Sequence, residues 1–484
     1  MWFEVPVYLY LLFSLLLLPY GYNCIILVYG ALKYKTPTAK RLKTYPHVSI
    51  HLPVYNEKHV VNKLLTAVSK LDWPKNKLDV MILDDSDDET KTIIDKKAEE
   101  IRRTGCNVQV IRRANREGFK AGALRKGLSK TTGKYIVVFD ADFIPKTSYL
   151  KEVIPHLEQD DTVGFVQTRW GHLNRIQNRF TKAFSIALDA HHMVDQAGRY
   201  ALGLLMSFNG SSGAIRTSAV KAVGGWTSDT LSEDLDMSYK LQLAGWKGVY
   251  LRDVVTDGQL PSNLRDFRTQ QSRWAKGSTQ CARKYLMQVW RNRNLSLFQK
   301  IQSSIQLTNY SISLIMLMLV ITETFLIGSD FVIKQSIDAR LYFEKVILDP
   351  RLGTLFTICT LCTFAYYFTA LKTQGLSVRK YGSSIMFLAL IGHGFSAICG
   401  VSIFEGLFTQ GGVFERVPKY NLHEIRANLK GQSYRSKLKH MEMERILTVV
   451  SALSLLLSYI MNILPATSYL FVYLFGFYFV SLNL

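Results

Sequence analysis

A doubly wound α/β domain set into a bundle of membrane helices is the fold this sequence predicts. Three observations predict it. Nearly uncharged segments at 5–32, 304–328, 351–371, 383–404, 446–464 and 467–484 flank a stretch, 33–300, of ordinary soluble composition. Several of them reach the roughly 20 residues needed to cross a bilayer. Inside the soluble stretch, short apolar runs alternate with helix-period segments, and polar residues cluster where the apolar runs end, as at the carboxyl edge of a parallel sheet.

The first segment, within 1–32, is too long for a signal peptide and has neither a basic start nor a small-residue cleavage site, so it reads as a retained anchor. Lys33, Lys35, Lys40, Arg41 and Lys43 follow it, whereas Glu4 precedes it. The positive-inside bias then puts the N-terminus outside and the soluble domain in the cytosol. His47 to Val54 forms the first strand, and Glu57 to Lys70 has helical period, with Val60, Val61, Leu64, Leu65 and Val68 on one face. Leu78–Leu83 is a second strand, Lys91–Thr104 a helix, Val108–Ile111 a third strand, Gly122–Ser129 a helix and Tyr135–Phe139 an all-apolar strand. No Gly-x-Gly-x-x-Gly follows the first strand, which argues against a dinucleotide fold.

Beyond Trp290 apolar helices predominate to residue 484. Six crossings from an outside start would place the basic 411–445 loop outside, against the charge rule. A re-entrant or interfacial path for 383–408, with Gly392, Gly394, Gly400, Glu405 and Gly406, leaves five crossings and returns that loop to the cytosol. The domains expected are 1–32 as an N-terminal transmembrane helix, 33–258 as a cytosolic catalytic domain, 259–300 as interfacial helices, and 301–484 as the remaining membrane region. Glu323 and His393-Gly394 fall within the apolar stretches and line a polar path or bond between helices.

The net charge of +21 comes from 59 Lys and Arg against 38 Asp and Glu. Basic residues crowd the membrane-flanking loops at 33–43, 283–300, 372–380 and 416–445, which fits contact with lipid headgroups and removes the need for a nucleic-acid partner. The six cysteines are scattered, and Cys359-x-x-Cys362 stands in an apolar helix without a second pair, so neither zinc nor a disulfide framework is expected.

Asp140-Ala141-Asp142 closes a buried strand, where carboxylates two apart can both reach a divalent cation. Such oxygen ligands suit Mg2+ or Mn2+ bridging a diphosphate. Asp84 to Asp88 closes a neighbouring strand; Asp85 is the candidate for a base or ribose, and Asp87 or Asp88 for capping the next helix. Lys120 opens a glycine-rich helix start that could meet phosphate. Ser232-Glu233-Asp234 opens an amphipathic helix, and Asp234 is the candidate general base for a sugar hydroxyl. Thirty or so residues on, Arg273 offers a fork of donors for a departing diphosphate and Trp274 a flat face for a sugar ring, with Gln270 on the same helical face.

Together these motifs resemble those of the membrane-embedded processive family 2 glycosyltransferases: cellulose synthase, hyaluronan synthase and the cellulose-synthase-like mannan and glucan synthases. Pro53-Val54-Tyr55-Asn56-Glu57 and Asp84-Asp85-Ser86 look like the family's nucleotide-binding strand ends, and Lys120-Ala121-Gly122-Ala123-Leu124 like its lysine-led helix start. Ser232-Glu233-Asp234 stands where Thr-Glu-Asp is usual, and Ser keeps the hydroxyl. Gln167-Thr168-Arg169-Trp170, Phe208-Asn209-Gly210-Ser211-Ser212-Gly213 and Gln270 to Gly277 are similar to the mannan and xyloglucan-backbone type. Phe414 to Lys419 resembles the loop that gates the nucleotide site, without its usual Thr.

The resemblance implies a GT-A-type nucleotide-sugar-binding domain, a mostly parallel sheet with helices on both faces, inserted in an α-helical transmembrane bundle. It implies a processive inverting β-glycosyltransferase taking hexose from UDP-glucose or GDP-mannose to a growing β-glucan or β-mannan, at the plasma membrane or Golgi. On this reading Asp234, Glu233, Arg273 and Trp274 are catalytic. Pro53, Tyr55, Glu57, Asp85, Lys120, Asp140, Ala141, Asp142, Gln270, Arg273 and Lys419 bind the nucleotide sugar. Trp274, Phe208, Asn209 and Gly210 meet the acceptor. Two rivals stand beside it, a non-processive enzyme adding one sugar to a membrane lipid and an inactive scaffold or export channel.

Overall fold

The computed structural model describes residues 4–333, 350–419, 441–461 and 469–483. Helix α1 (Glu4–Lys33) leads into the sheet domain, whose elements follow as β1 (Val48–Val54), α2 (Val61–Ser69), β2 (Leu78–Asp84), α3 (Thr90–Arg102), β3 (Asn107–Arg112), α4 (Phe119–Leu128) and β4 (Tyr135–Val138). Next come α5 (Tyr149–Gln159), β5 (Val163–His172), α6 (Arg179–Ala190), a π-helical turn (His191–Gln196), α7 (Ala197–Ala201), β6 (Gly213–Arg216), α8 (Thr217–Ala222), α9 (Glu233–Leu243) and β7 (Lys247–Gly258). The seven strands lie in the order β3-β2-β1-β4-β6-β5-β7. Neighbours are parallel except at β6, which runs antiparallel to β4 and to β5.

Period-two alternation builds two cores, one on each face. Val48, Ile50, Leu52 and Val54 of β1, with Leu78, Val80 and Ile82 of β2, pack under α2, α3 and α5. Met81, Leu83, Ile136 and Val138 point the other way, toward α4, α8 and α9. Leu27, Val28 and Ala31 of α1 join this second core, so the apolar anchor covers one face of the catalytic sheet directly.

The helix expected to begin at Glu57 starts at Val61, because Asn56 at the end of β1 takes a left-handed backbone (φ 54°) and the chain makes a turn there first. Conversely, the helix expected from Gly122 already starts at Phe119.

Helix α10 (Leu264–Arg291) is 28 residues long and starts where the Asn263 side chain accepts from Asp266 N at 2.8 Å. It is followed by α11 (Leu297–Leu307) and α12 (Ser311–Ile333). Among the described residues, four helices are long and apolar enough to cross a membrane: Val5–Lys33, Ser311–Gly328, Pro350–Thr373 and Glu442–Ile460. Val378–Gly394 and Ser396–Phe408 form a pair bent by 50°, the broken path expected at 383–408. The break falls at Gly394-Phe395-Ser396, where the Ser396 hydroxyl donates to His393 O at 2.6 Å. The last described helix, Leu470–Leu482, has 13 residues and spans about 20 Å, short of a ~30 Å hydrocarbon core. Most of the 411–445 loop lies outside the described residues, which end at 419 before resuming at 441.

Candidate active site

One pocket opens at the carboxyl edge of the sheet. The ends of β1, β2 and β4 supply Pro53, Tyr55, Glu57, Asp85 and Asp140-Ala141-Asp142, and α4 adds Lys120. Glu233 and Asp234 enter from the first turn of α9, and Gln270, Arg273 and Trp274 from α10. Asn209 and Lys419 complete the predicted set, so every predicted residue except Phe208 and Gly210 lines this pocket.

Phe208 is 1% exposed and packs edge-on against Phe165 with ring centroids 6.0 Å apart, so the expected acceptor contact is corrected to a core role. An apolar ring beside a run of small residues gains more from the second core than from a wet pocket. Gly210 stands just behind the wall; its carbonyl accepts from Lys120 Nζ at 3.1 Å. Lys120, expected to meet phosphate, instead bridges acids, with Nζ 2.7 Å from Asp140 Oδ1 and 3.2 Å from Glu233 Oε1. Burial would lower its pKa, but these two carboxylates raise it above the usual lysine value.

Electrostatics set the character of the acids. Burial raises the Asp140 carboxyl, against the opposing pull of Lys120. Burial and then Glu233 push Asp234 above the ordinary carboxylate range, although Lys120 and Arg273 pull it back. A carboxylate so destabilised is a stronger base than a solvated one. Asp142 Oδ2 lies 3.0 Å from Lys419 Nζ and accepts from Gln259 N at 3.1 Å. Both predicted metal ligands therefore face an ammonium group.

Segment 411–419 lies along the pocket mouth. Arg416 donates to both oxygens of Glu57 at 2.9 Å, and the Phe414 ring sits 4.1 Å from the Arg273 guanidinium. Burial drives the Glu57 carboxyl up to about 7, with Arg416 opposing. In the nucleotide half, Arg113 clamps Asp85 through both carboxylate oxygens, and Arg116 stacks 3.2 Å over the Tyr55 ring. Asp88 accepts from Thr90 N at 2.9 Å and so takes the helix end, as expected for Asp87 or Asp88.

Two braces escaped the sequence reading. Asp236, fully buried, accepts from Tyr285 OH at 2.7 Å and pairs with Lys284 at 2.6 Å and Lys240 at 3.0 Å, tying α9 to α10. Its only signal was a third acid in the first turn of α9. Gly277 lets α10 approach the Ser232 turn: a Cβ there would stand 2.2 Å from Ser232 Oγ and 2.8 Å from its backbone N. Trp170 and His172 of β5 also line the pocket, and Trp170 Nε1 donates to Ser211 O at 3.1 Å.

Residues 46–277 match the family model described as glycosyltransferase like family 2, and residues 216–399 match that of cellulose synthase. Over those residues the chain is similar to glycosyltransferase family 2 and to cellulose synthase. Its Arabidopsis thaliana relatives include a probable glucomannan 4-beta-mannosyltransferase 10, 37% identical over 263 residues (54% of this chain and 48% of the relative). Glucomannan 4-beta-mannosyltransferase 2 of the same plant is 34% identical over 316 residues, covering 62% of this chain and 59% of the relative. Glucomannan 4-beta-mannosyltransferase 1 of Oryza sativa subsp. japonica is 37% identical over 261 residues, 53% of this chain and 50% of that one. The chain thus spans about half the length of the curated relatives it matches. Among solved structures, the mannosyltransferase PcManGT from Pyrobaculum calidifontis, in complex with GDP-Man and Mn2+, superposes with a TM-score of 0.50 at 20% identity. It covers 76% of this chain and 97% of its own, a likeness of fold. The GT-A-like sheet with helices on both faces is the architecture expected from the sequence.

Proposed function

We propose that this pocket transfers a hexose from a nucleoside-diphosphate sugar to a hydroxyl of a β-linked polysaccharide, with inversion, at the cytosolic face of a membrane. The convergence of Asp234, the Asp140/Asp142 pair and Arg273 on one cavity, floored by sheet ends and walled by Trp170 and Trp274, carries this reading. Asp234 removes the proton of the attacking hydroxyl, its raised basicity matching that task. Attack from the side opposite the leaving group turns an α-linked donor into a β-linked product. Arg273 lies among Glu233, Asp234 and Asp140, where its buried guanidinium balances the acids and meets the negative charge of the departing diphosphate.

Among the described residues no group of three metal-ligating side chains gathers. Two carboxylates at a diphosphate site still fit Mg2+ or Mn2+, ions that complete their shell with water and substrate phosphate. The ammonium groups of Lys120 and Lys419 already bring positive charge to Asp140 and Asp142. A divalent ion held by Asp140 and Asp142 would supply neutralisation of the leaving diphosphate.

The names of the plant relatives make GDP-mannose the first donor to try, with UDP-glucose second. Helices packed behind α10 support continued extension of one chain and its passage across the membrane. The test is incubation of the detergent-purified protein with Mn2+ or Mg2+ and, separately, GDP-mannose, UDP-glucose and UDP-N-acetylglucosamine. Released nucleoside diphosphate and product size are read together. A long product cleaved by a β-mannanase or β-glucanase is the expected result. A singly glycosylated lipid overturns processive synthesis, and no turnover with any donor overturns the transferase reading.

A further inference from the structure

Between α6 and α7 the chain makes one π-helical turn, His191–Gln196. Residues five apart on an α-helix point about 140° away from each other. A π turn, bonded from i to i+5, brings them to one side. Here that geometry aims both ends of the turn at one side chain. His191 Nε2 donates to Asn209 Oδ1 at 3.3 Å, and Gln196 Nε2 approaches the same oxygen at 3.4 Å. Gln196 also brackets the residue two before, donating to Ser207 O at 2.6 Å and accepting from Ser207 N at 3.2 Å. The Asn209 backbone N donates to Gln167 Oε1 at 2.8 Å.

With two donors on Oδ1, the orientation of the Asn209 amide is fixed by its network. Its Nδ2 is buried and has no hydrogen-bond partner among the described residues, and the residue lines the pocket. A buried donor left unmade is costly, so the wall holds a hydrogen-bonding group that a ligand hydroxyl or an ordered water would satisfy.

The support behind it is charged. The other His191 nitrogen, Nδ1, lies 3.1 Å from Asp195 Oδ2, and Asp195 Oδ1 takes Arg199 Nε at 2.7 Å. Two acceptors flank the imidazole. Burial would raise the Asp195 carboxyl, but Arg199 and His191 hold it down at about 2. The turn is seated on the membrane anchor: a Cβ on Gly198 would stand 2.4 Å from Leu27 O of α1, and one on Gly30 2.6 Å from Gly198 O.

Asn209 is among the residues that the family resemblance implies for the acceptor; we propose that His191 and Gln196 are positioning residues that fix its amide so that Nδ2 donates to a hydroxyl of the acceptor sugar. The inference rests on the transferase reading above. It goes beyond it in giving the π turn a function, that of orienting the acceptor while leaving the donor site alone.

The test uses the full-length protein with the donor that the wild type turns over and a β-linked oligosaccharide of the same sugar. Donor affinity, donor hydrolysis by water, and transfer to the oligosaccharide are measured for the wild type, Asn209→Asp, Asn209→Ala, His191→Leu and His191→Gln. Loss of one hydrogen bond predicts roughly tenfold less transfer or a tenfold higher acceptor KM in both Asn209 variants, with transfer falling further than donor hydrolysis does. His191→Leu falls in the same direction, and His191→Gln, which restores a donor to Asn209, recovers most of the loss. Equal falls in hydrolysis and transfer, or unchanged transfer by Asn209→Asp, overturn the assignment while leaving the transferase reading in place. A wild type that turns over no nucleotide sugar overturns both.

Discussion

Ionising Asp234 costs free energy because the carboxyl is buried beside Glu233, and both effects raise its pKa. In the proposed role as base Asp234 must be ionised, so transfer should be present above the raised pKa and be lost as pH falls through it. The acid limb of kcat against pH should then stand above the ~4 of an ordinary carboxylate. Stability runs the other way. A folded-state pKa raised above the unfolded value contributes stability that is complete below the unfolded pKa and is lost as pH rises through the folded one. Asp234→Asn should therefore raise Tm at neutral pH while abolishing transfer, as thermal unfolding in detergent and a rate assay would check. An acid limb at or below pH 4 would show that Asp234 is not the group being titrated.

Helix α10 has to hold Arg273 and Trp274 against the turn that carries Asp234, and two contacts govern that fit. At Gly277, an added methyl meets Ser232 Oγ and its backbone. Gly277→Ala should push the helix off the turn and lower kcat roughly a hundredfold, as misplacements of about 1 Å do, with donor affinity little changed. Kinetics on a folded variant would check this. One turn before Arg273, Arg268 donates to Glu444 of the Met441–Ile460 helix at 2.8 Å, with side chains 4% and 0% exposed. Removing one charge leaves the other buried, so Glu444→Gln should cost about 3–5 kcal/mol, whereas Arg268→Met with Glu444→Met should be close to neutral. Unfolding midpoints of the single and double variants decide it. At this scale the sequence was readable where chemistry compresses into short motifs: Asp140-Ala141-Asp142, Ser232-Glu233-Asp234 and the Arg273-Trp274 pair all reached one pocket. Phe208 was misread because an apolar ring beside small residues carries no mark of which face it serves. Asp236, Gly277 and the π turn were illegible for a related reason. Their roles depend on partners outside their own helix, such as Lys284, Tyr285, Ser232 and Asn209, which periodicity within one helix cannot reveal.

In the whole molecule, the membrane helices and the catalytic sheet share a core. Leu27, Val28 and Ala31 of α1 lie with Met81, Leu83, Ile136 and Val138, and Ala370 of the Pro350–Thr373 helix joins them. A chain shortened to begin after α1 would expose that apolar face, and it should aggregate on size-exclusion chromatography where the full-length protein in detergent elutes as one species. The alternation of strand and helix, and the division into soluble and apolar stretches, were legible because both are written in local composition. The antiparallel β6 and the seating of α1 on the sheet were not, since they depend on long-range pairing.

Whether this pocket moves a hexose with Asp234 as its base is decided by following nucleoside diphosphate release and glycan formation by the wild type and Asp234→Asn, with donor binding measured on both. The account predicts wild-type turnover, undiminished donor binding by Asp234→Asn, and transfer lowered by about 10²- to 10⁴-fold. Transfer by Asp234→Asn within a few-fold of wild type would contradict it.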